Sequence, residues 1–279
     1  MKSNLKFFRK KKSLPVDKFL NNVLYDKKNG YYGTKQPFGK RGDFITAPNI
    51  SNLFSEMIAI WMVSTWEIFG KPKNFNIIEL GPGDGSLTKN LLKVFNRFPD
   101  FNEAKKIYLY EISGFLKNLQ NINDGPTLFF GNEFFDAIPI KQFKNEKGFF
   151  FEKHYKLDKN LRIKQIFKKA TNEDISNIDS YKSLKKLKFI EFPKYGLIEL
   201  KKIIKKILKV NGCLLLIDYG YLKPKSQNTL QSVMNHKKNN LLNNLGKADI
   251  TSHVNFKLLN EFFLKNNLKV KKVISHQKF

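Results

Sequence analysis

The chain has 279 residues, 41% of them hydrophobic, and a formal net charge of +27. This length suits one large α/β domain with an elaboration, or two small domains, and it allows a sizeable core. The single cysteine excludes an internal disulfide, and no apolar run approaches the ~20 residues that cross a bilayer.

The first 70 residues predict helices and a long loop. Residues 13–15 open a short helix that ends near Tyr25. The polar, glycine-rich stretch 31–48 predicts a long ordered loop. Loops of this length are usually functional and not mere connectors. Apolar residues within 54–61 lie at helical spacing and predict a core helix. We expect residues 1–70 to form an N-terminal helical and lid segment.

After Gly70 the pattern alternates between strand and helix. Residues 76–80, 107–110 and 127–130 predict strands, and the apolar spacing within 87–95 predicts a helix between the first two. This alternation is typical of a doubly wound, mostly parallel sheet, of which residues 71–139 form the first half.

Residues 140–192 break this rhythm and predict an insertion on the sheet that could contact a substrate. Within it, residues 149–151 and 154–167 favour a β-hairpin, and a polar helical piece starts at Asn172.

Residues 193–279 return to the alternation and predict the second half of the sheet domain. The spacing predicts helices over 197–207 and 258–263, a buried strand over 213–217 and a last strand over 270–274. A lysine- and asparagine-rich loop follows the buried strand.

The stretch NIIELGPGDGSL, residues 76–87, is a strand that runs into a turn with Gly81, Gly83 and Gly85. A dinucleotide fingerprint needs a glycine at its sixth position, where Ser86 stands. A phosphate-binding P-loop needs a lysine, which the stretch lacks. The turn therefore predicts a ligand other than a nucleotide phosphate.

Two carboxylates frame this turn. Glu79 precedes it, and Glu111 ends the second strand. A carboxylate at the turn repels a pyrophosphate, whereas it favours the ammonium and sulfonium groups of S-adenosylmethionine. Glu111 is placed to accept hydrogen bonds from ribose hydroxyls. These residues favour S-adenosyl-L-methionine as the cofactor.

Four blocks of the chain resemble the MidA-like methyltransferases, the family of the mitochondrial complex I assembly factor that methylates arginine. They are GYYGTKQPFGKRGDFITAPNIS, IELGPGDGSL with YEIS, GNEFFDAIPIKQF, and LIDYG with TLQSVMNHKK and DITSHVNF. The first and third blocks are the most specific. Where the family usually has aspartate in its last block, this chain has Asn255, which is nearly equivalent as a helix N-cap.

The resemblance implies a class I, Rossmann-like methyltransferase fold with the insertion described above. It implies S-adenosyl-L-methionine as cofactor and a protein arginine acceptor that becomes symmetric dimethylarginine, with a complex I quinone-site subunit as the expected substrate. Family members continue beyond the position of Phe279, and the strand over 270–274 lacks a hairpin partner in the sequence. We therefore expect the sheet to lack its C-terminal strand.

The site residues that we expect are carboxylates and turn residues. Carboxylates paired with a guanidinium can localise its charge on one nitrogen and leave another free to attack. Glu133 and Asp136 would share a face if their segment turns helically, although they could instead be an N-cap pair. The expected catalytic residues are Glu133, Asp136 and Asp218. The expected cofactor-binding residues are Asp43, Thr46, Pro48, Glu79, Gly81, Gly83, Gly85, Glu111 and Asn132.

Partners and alternatives follow from the charge and the family. The charge of +27 favours nucleic acid, but only four of the 51 basic residues are arginine and the lysines are spread along the chain, so this partner is not favoured. An RNA or small-molecule methyltransferase and a non-catalytic assembly factor remain alternatives. Four histidines without other ligands at metal spacing predict no metal site. The expected location is cytoplasmic in a bacterial-type cell, or the mitochondrial matrix in a eukaryote.

Overall fold

The computed structural model describes residues 4–34, 52–111, 122 and 125–275. The predicted lid residues Asp43, Thr46 and Pro48 lie outside the described residues, so their roles stay predictions. Among the residues that are described, no helix is long and apolar enough to cross a membrane.

The described residues contain nine helices and fourteen strands. The helices are α1 Leu5–Phe8, α2 Val16–Tyr25, α3 Tyr31–Thr34, α4 Asn52–Ile68, α5 Ser86–Phe95, α6 Pro99–Ala104, α7 Asn172–Asp179, α8 Lys194–Lys209 and α9 Phe256–Lys265. The strands are β1 Ser13–Pro15, β2 Phe75–Leu80, β3 Lys105–Tyr110, β4 Thr127–Asn132, β5 Lys141–Glu146, β6 Phe149–Leu157, β7 Ile163–Lys169, β8 Phe189–Phe192, β9 Cys213–Ile217, β10 Gly220–Tyr221, β11 Gln231–Met234, β12 Lys237–Asn239, β13 Asp249–Thr251 and β14 Val254–Asn255.

A four-stranded parallel sheet in the order β3-β2-β4-β9 forms the centre of the fold. β2, β4 and β9 are largely apolar runs, as expected for strands covered on both faces, whereas the edge strand β3 begins with two lysines and is partly exposed. Ile77 and the residues of α4 and α5 share one core, whereas Ile78 shares the other core with α8 and α9. The predicted doubly wound α/β fold is confirmed.

The insertion is larger than the predicted hairpin. The hairpin itself is present as β6 and β7, but β5, β8 and β1 join it in a five-stranded antiparallel sheet. β5 escaped prediction because it buries polar residues, so it lacks the apolar alternation of a half-buried strand. Its Lys141 Nζ donates to Glu152 Oε1 at 2.6 Å and to Asp174 Oδ2 at 2.9 Å, and all three residues are buried.

The predicted helix start at residues 13–15 is wrong. These residues form β1, in which Leu14 pairs with Tyr155 of β6, and the helix starts at Val16. Pro15 has no N–H to donate, but a strand at the edge of a sheet tolerates this loss. The buried Leu14 side chain joins a third core with residues of α1 and α2.

The predicted strand over 270–274 is also wrong, because these residues form no strand or helix. β-Branched residues favour a strand only where neighbouring strands supply hydrogen bonds, and α9 is not followed by such a neighbour in the described residues. Within the described sheet, β9 has a neighbour only on the β4 side. The Asn255 side chain caps α9 by accepting from Leu258 N at 3.1 Å, as predicted.

The lysine- and asparagine-rich stretch after β10 is more ordered than the loop that we predicted. β11, β12 and β13 form an antiparallel sheet. The turn between β11 and β12 holds Asn235 and His236 at φ values of 50° and 61°, the backbone of a type I′ hairpin turn. This turn accounts for His236 structurally. The domain boundaries at residues 70, 139 and 192 stay predictions.

Candidate active site

The carboxyl ends of the four parallel strands meet at one edge of the sheet. Leu80 pairs with both Tyr110 and Gly131, and Asn132 pairs with Ile217, so the strands end almost level. The strand order reverses between β2 and β4, because the chain passes from β2 to β3 on one side and then to β4 on the other. Ligands of open α/β sheets bind in the crevice at such a switch point.

The glycine turn leaves β2 at this switch point. Gly81, Gly83 and Gly85 have φ values of 65°, 58° and 72°, which is the left-handed region that other residues rarely adopt. A Cβ at Gly81 would lie 2.9 Å from Cδ2 of Phe134, whereas a Cβ at Gly85 would meet no atom within 4 Å. Gly85 is also the N-cap of α5. The turn therefore needs glycine both for its conformation and for close packing.

Glu79 lies on β2, two residues before Gly81, and is buried. Burial raises the pKa of its carboxyl to about 7, with a further increase from Asp84, while a hydrogen bond donated by Thr88 Oγ1 lowers it. A positively charged ligand group beside this carboxyl would lower its pKa again and favour the ionised form.

Two predicted cofactor residues end the neighbouring strands. Glu111 follows β3 directly, and Asn132 is the last residue of β4; both are half-buried. The Asn132 side chain hydrogen bonds to the Glu133 carboxyl and lowers its pKa, although burial raises that pKa more. Glu79, Glu111 and Asn132 therefore lie at the ends of three adjacent strands.

The three predicted catalytic carboxylates form one group, which we call the acidic cluster: Glu133, Asp136 and Asp218. Asp218 Oδ2 accepts from Phe135 N at 3.3 Å, and Asp218 Oδ1 accepts from Asp136 N at 3.2 Å. Glu133 N donates to Ile217 O at 2.8 Å. The turn after β4 is thus held against the end of β9.

This turn is not helical, so the shared helical face considered for Glu133 and Asp136 does not form. Glu133 has a φ of 51°, which is uncommon for a residue with a side chain. Strained backbone of this kind persists only where its surroundings hold it, and it occurs often at active sites. The contacts with β9, rather than a helix, bring the acidic cluster together.

The carboxyls of the acidic cluster hold their protons unusually tightly. Burial raises the pKa of Asp136, and the nearby charges of Asp218, Glu133 and Asp249 raise it further. Burial also raises the pKa of Asp218, although its two backbone N–H donors lower it. Such a group binds a cation by losing a proton or by neutralising repulsion among its members.

Sequence reasoning missed three residues beside the acidic cluster. Tyr32 Oη donates to both carboxylate oxygens of Asp249 at 3.0 Å, and Tyr25 Oη donates to Ala137 O at 3.0 Å. The two tyrosine rings stack with centroids 5.1 Å apart. Tyr32 and Asp249 are 217 residues apart, so only their presence in the family-like blocks GYYGT and DITSHVNF could have indicated them.

Comparison with known proteins identifies the family. A family model described as "Putative S-adenosyl-L-methionine-dependent methyltransferase" matches residues 57–274. The chain belongs to this family. S-Adenosyl-L-methionine is accordingly the cofactor of this methyltransferase family member, as the glycine turn predicted.

Curated relatives carry a more specific name. The chain is 27% identical to the Xenopus tropicalis "Protein arginine methyltransferase NDUFAF7, mitochondrial" in an alignment of 286 positions that covers 88% of this chain and 66% of the relative. It is 27% identical to the Drosophila melanogaster homologue in an alignment of 288 positions that covers 88% of this chain and 65% of the relative. The chain thus spans just under two thirds of the length of these relatives.

Solved structures share the fold. A Burkholderia thailandensis protein of the COG1565 superfamily, crystallised with S-adenosyl-homocysteine, has a TM-score of 0.76 and 20% identity, and the match covers 95% of this chain and 75% of that one. A second crystal structure from Burkholderia thailandensis has a TM-score of 0.74 and 18% identity. This likeness supports the Rossmann-like methyltransferase fold.

The residues at the switch point suit S-adenosylmethionine. The left-handed glycine turn brings bare backbone to the crevice, and open space surrounds Gly85. Burial makes the ionised form of the Glu79 carboxyl unfavourable, and a cationic ligand group beside it would offset that cost. Glu111 directly follows the adjacent strand β3. In the described residues, no group of three or more histidine, cysteine, aspartate or glutamate side chains could hold a metal ion.

Proposed function

We propose that this protein transfers a methyl group from S-adenosylmethionine to an arginine side chain of a protein, to give symmetric dimethylarginine. One observation carries the proposal. The carboxyls of Glu133, Asp136 and Asp218 gather at the switch point, on the same edge of the sheet as the glycine turn to which we assign cofactor binding. The chain as a whole has a net charge of +27, whereas this site gathers three carboxyls, so the cluster is suited to a cationic acceptor.

The chemistry of arginine explains why carboxylates are needed. S-Adenosylmethionine, when bound, supplies an electrophilic methyl group. The guanidinium stays protonated at neutral pH, and its lone pairs are delocalised. Carboxylates that accept its N–H groups localise the positive charge away from the attacking nitrogen. As this nitrogen forms its new bond it loses one proton, which passes to an ionised carboxylate of the cluster. A raised pKa makes that carboxylate a stronger base.

Asp136 and Glu133 are the residues that we assign to this role, with Asp218 holding their turn. Asp136 is buried, whereas Glu133 is half-buried. The names of the relatives support a protein arginine acceptor. We also infer, from the family resemblance of the four sequence blocks, a respiratory complex I-type subunit as substrate, and action in a bacterial-type cytoplasm or in the mitochondrial matrix of a eukaryote.

The acceptor class is tested by labelling. Cell extract is incubated with the protein and methyl-labelled S-adenosylmethionine, then treated separately with nuclease and protease, and the protein fraction is hydrolysed for amino-acid analysis. We expect the label in symmetric dimethylarginine, with loss of labelling for Asp136→Asn. Asp179→Asn, at the exposed end of α7, is the matched control and should label normally. Label that nuclease removes and protease leaves would identify an RNA methyltransferase instead.

The open side of β9 favours a second candidate, an assembly factor without turnover. An edge strand offers backbone N–H and C=O groups to a partner strand, and within the described residues β9 pairs only with β4. Calorimetry combined with the labelling assay separates the two functions. Binding of S-adenosyl-homocysteine together with no label on any fraction of the extract would support the assembly factor, whereas labelled protein would exclude it.

A further inference from the structure

Tyr219 has an exposed ring on a fixed backbone at the edge of the acidic cluster. It follows Asp218 directly, and 61% of its surface is exposed. Its carbonyl accepts Val254 N at 2.8 Å, which ties the backbone at this position to β14. The ring is therefore presented to solvent from an anchored position, unlike a side chain on a free loop.

The hydrogen bonds of the acidic cluster place Tyr219 beside it. Glu133 N binds Ile217 O, and the Asp218 carboxylate binds the N–H groups of the turn, so the chain next to Tyr219 clamps the carboxylates. Partial burial raises the pKa of the Tyr219 hydroxyl, and the charges of Glu133 and Asp136 raise it further, which agrees with a position close to both. None of the predicted roles uses this tyrosine.

An aromatic ring next to several carboxylates complements a guanidinium in two directions. The edges of the guanidinium plane carry the N–H donors that carboxylates accept, and its faces are weakly hydrated and stack on aromatic rings. A lysine ammonium is a compact, strongly hydrated charge that has no such face. A single exposed aromatic residue needs no explanation by itself, so the argument depends on its anchored backbone and its neighbours.

We propose that Tyr219 determines specificity for arginine by stacking on the acceptor guanidinium while Glu133 and Asp136 accept its N–H groups. This inference rests on the proposed arginine acceptor and names a residue that selects it. The ring, and not the hydroxyl, makes the stacking contact. Phenylalanine at this position should therefore preserve arginine binding, whereas an aliphatic residue should weaken it.

The test measures binding of N-acetylarginine amide to the protein saturated with S-adenosyl-homocysteine, by calorimetry or NMR titration. N-Acetyllysine amide is titrated in parallel. We expect Tyr219→Leu to weaken arginine binding roughly threefold to thirtyfold, the range of a cation–π contact from exposed to desolvated. Tyr219→Phe should bind arginine within about twofold of the wild type. In Tyr219→Leu, lysine binding should fall by less than arginine binding, because an ammonium has no flat face that stacks on the ring.

Phe149→Leu is the matched control, because it removes a ring of similar exposure, 66%, from β6 of the insertion. Equal arginine binding by the wild type and Tyr219→Leu would overturn the stacking inference. Equal losses in the Phe and Leu variants would overturn it too, because the hydroxyl would then be responsible. A wild type that binds no arginine probe also refutes stacking, whereas the proposed function fails separately if labelled protein yields no methylarginine.

Discussion

Ligand affinity should depend on the ionisation of Glu79. We expect the affinity for S-adenosyl-homocysteine, whose ammonium the carboxylate would bind, to rise with pH through the range in which Glu79 ionises. With a pKa of about 7, the ionised fraction is about one tenth at pH 6 and about nine tenths at pH 8. The affinity should therefore increase about tenfold between these values.

Glu79→Gln removes the charge and keeps the shape. A hydrogen bond to a charged group contributes about 1.5–3 kcal/mol, so this variant should bind roughly ten- to hundredfold more weakly at pH 8. Its binding should also lose most of the pH dependence, and any slope that remains reports titration of the ligand itself. Calorimetry in two buffers of different ionisation enthalpy would show proton release of about one half at pH 7 for the wild type only.

Two results would refute this reasoning. Equal pH profiles for the wild type and Glu79→Gln would show that the carboxyl does not meet the ligand, and a profile that falls with pH would show the wrong sign. Glu103→Gln, on the exposed side of α6, is the matched control and should bind as the wild type does.

The same carboxyl gives the opposite sign for stability without ligand. Its folded pKa of about 7 lies above the ordinary glutamate value of 4.5, so the native state keeps a proton that the unfolded state releases. Its contribution to the free energy of unfolding is fully present below pH 4.5 and is lost as the pH rises through 7. Thermal unfolding of the ligand-free protein across this range should be less pH-dependent in Glu79→Gln.

Three further substitutions have defined outcomes. Gly81→Ala should unfold at a lower temperature and bind S-adenosyl-homocysteine less tightly than Gly85→Ala, because both carry left-handed strain of about 1–2 kcal/mol but only the first meets the Phe134 ring at 2.9 Å. Asp218→Asn should lower kcat for methylation by more than it weakens cofactor binding, because one of the two carboxylate oxygens that accept the N–H groups of Phe135 and Asp136 becomes an amide donor; unchanged kcat would contradict this. Lys141→Ala should reduce the free energy of unfolding by about 3–5 kcal/mol in denaturant titrations, because it removes the cation between two buried carboxylates and leaves them the longer contacts to His154 and Lys194. A loss below about 1 kcal/mol would show that these contacts are sufficient or that the carboxyls protonate at little cost.

The sequence predicts the central sheet well because its strands are apolar on both faces. β2, β4 and β9 are short apolar runs bounded by turn residues, so length and composition are sufficient to identify them. The glycine turn is recognisable for a similar local reason, since its conformation and its glycines are in one stretch of chain. The ends of these strands then place the carboxylates at one edge.

The remaining features depend on contacts that a local pattern does not contain. β1 forms because Leu14 pairs with Tyr155, some 140 residues later, and the strand over 270–274 fails because it finds no neighbour among the described residues. The site residues Tyr32 and Asp249 meet only in the folded chain. A single sequence gives the elements that are stable by composition, and it misses those that are defined by their partners.

The attachment of Asp218 to β9 links the acidic cluster to local unfolding. Strands at an edge open more readily than central strands, because fewer hydrogen bonds must break, and all five residues of β9 are only half-buried. When β9 separates from β4, the amides of Phe135 and Asp136 lose their acceptor, so exchange of these amides should follow the opening of β9 rather than that of β2. A strand that paired with the free side of β9 would slow this exchange, and pairing at this backbone edge would thereby raise the fraction of molecules in which the carboxylates are correctly placed.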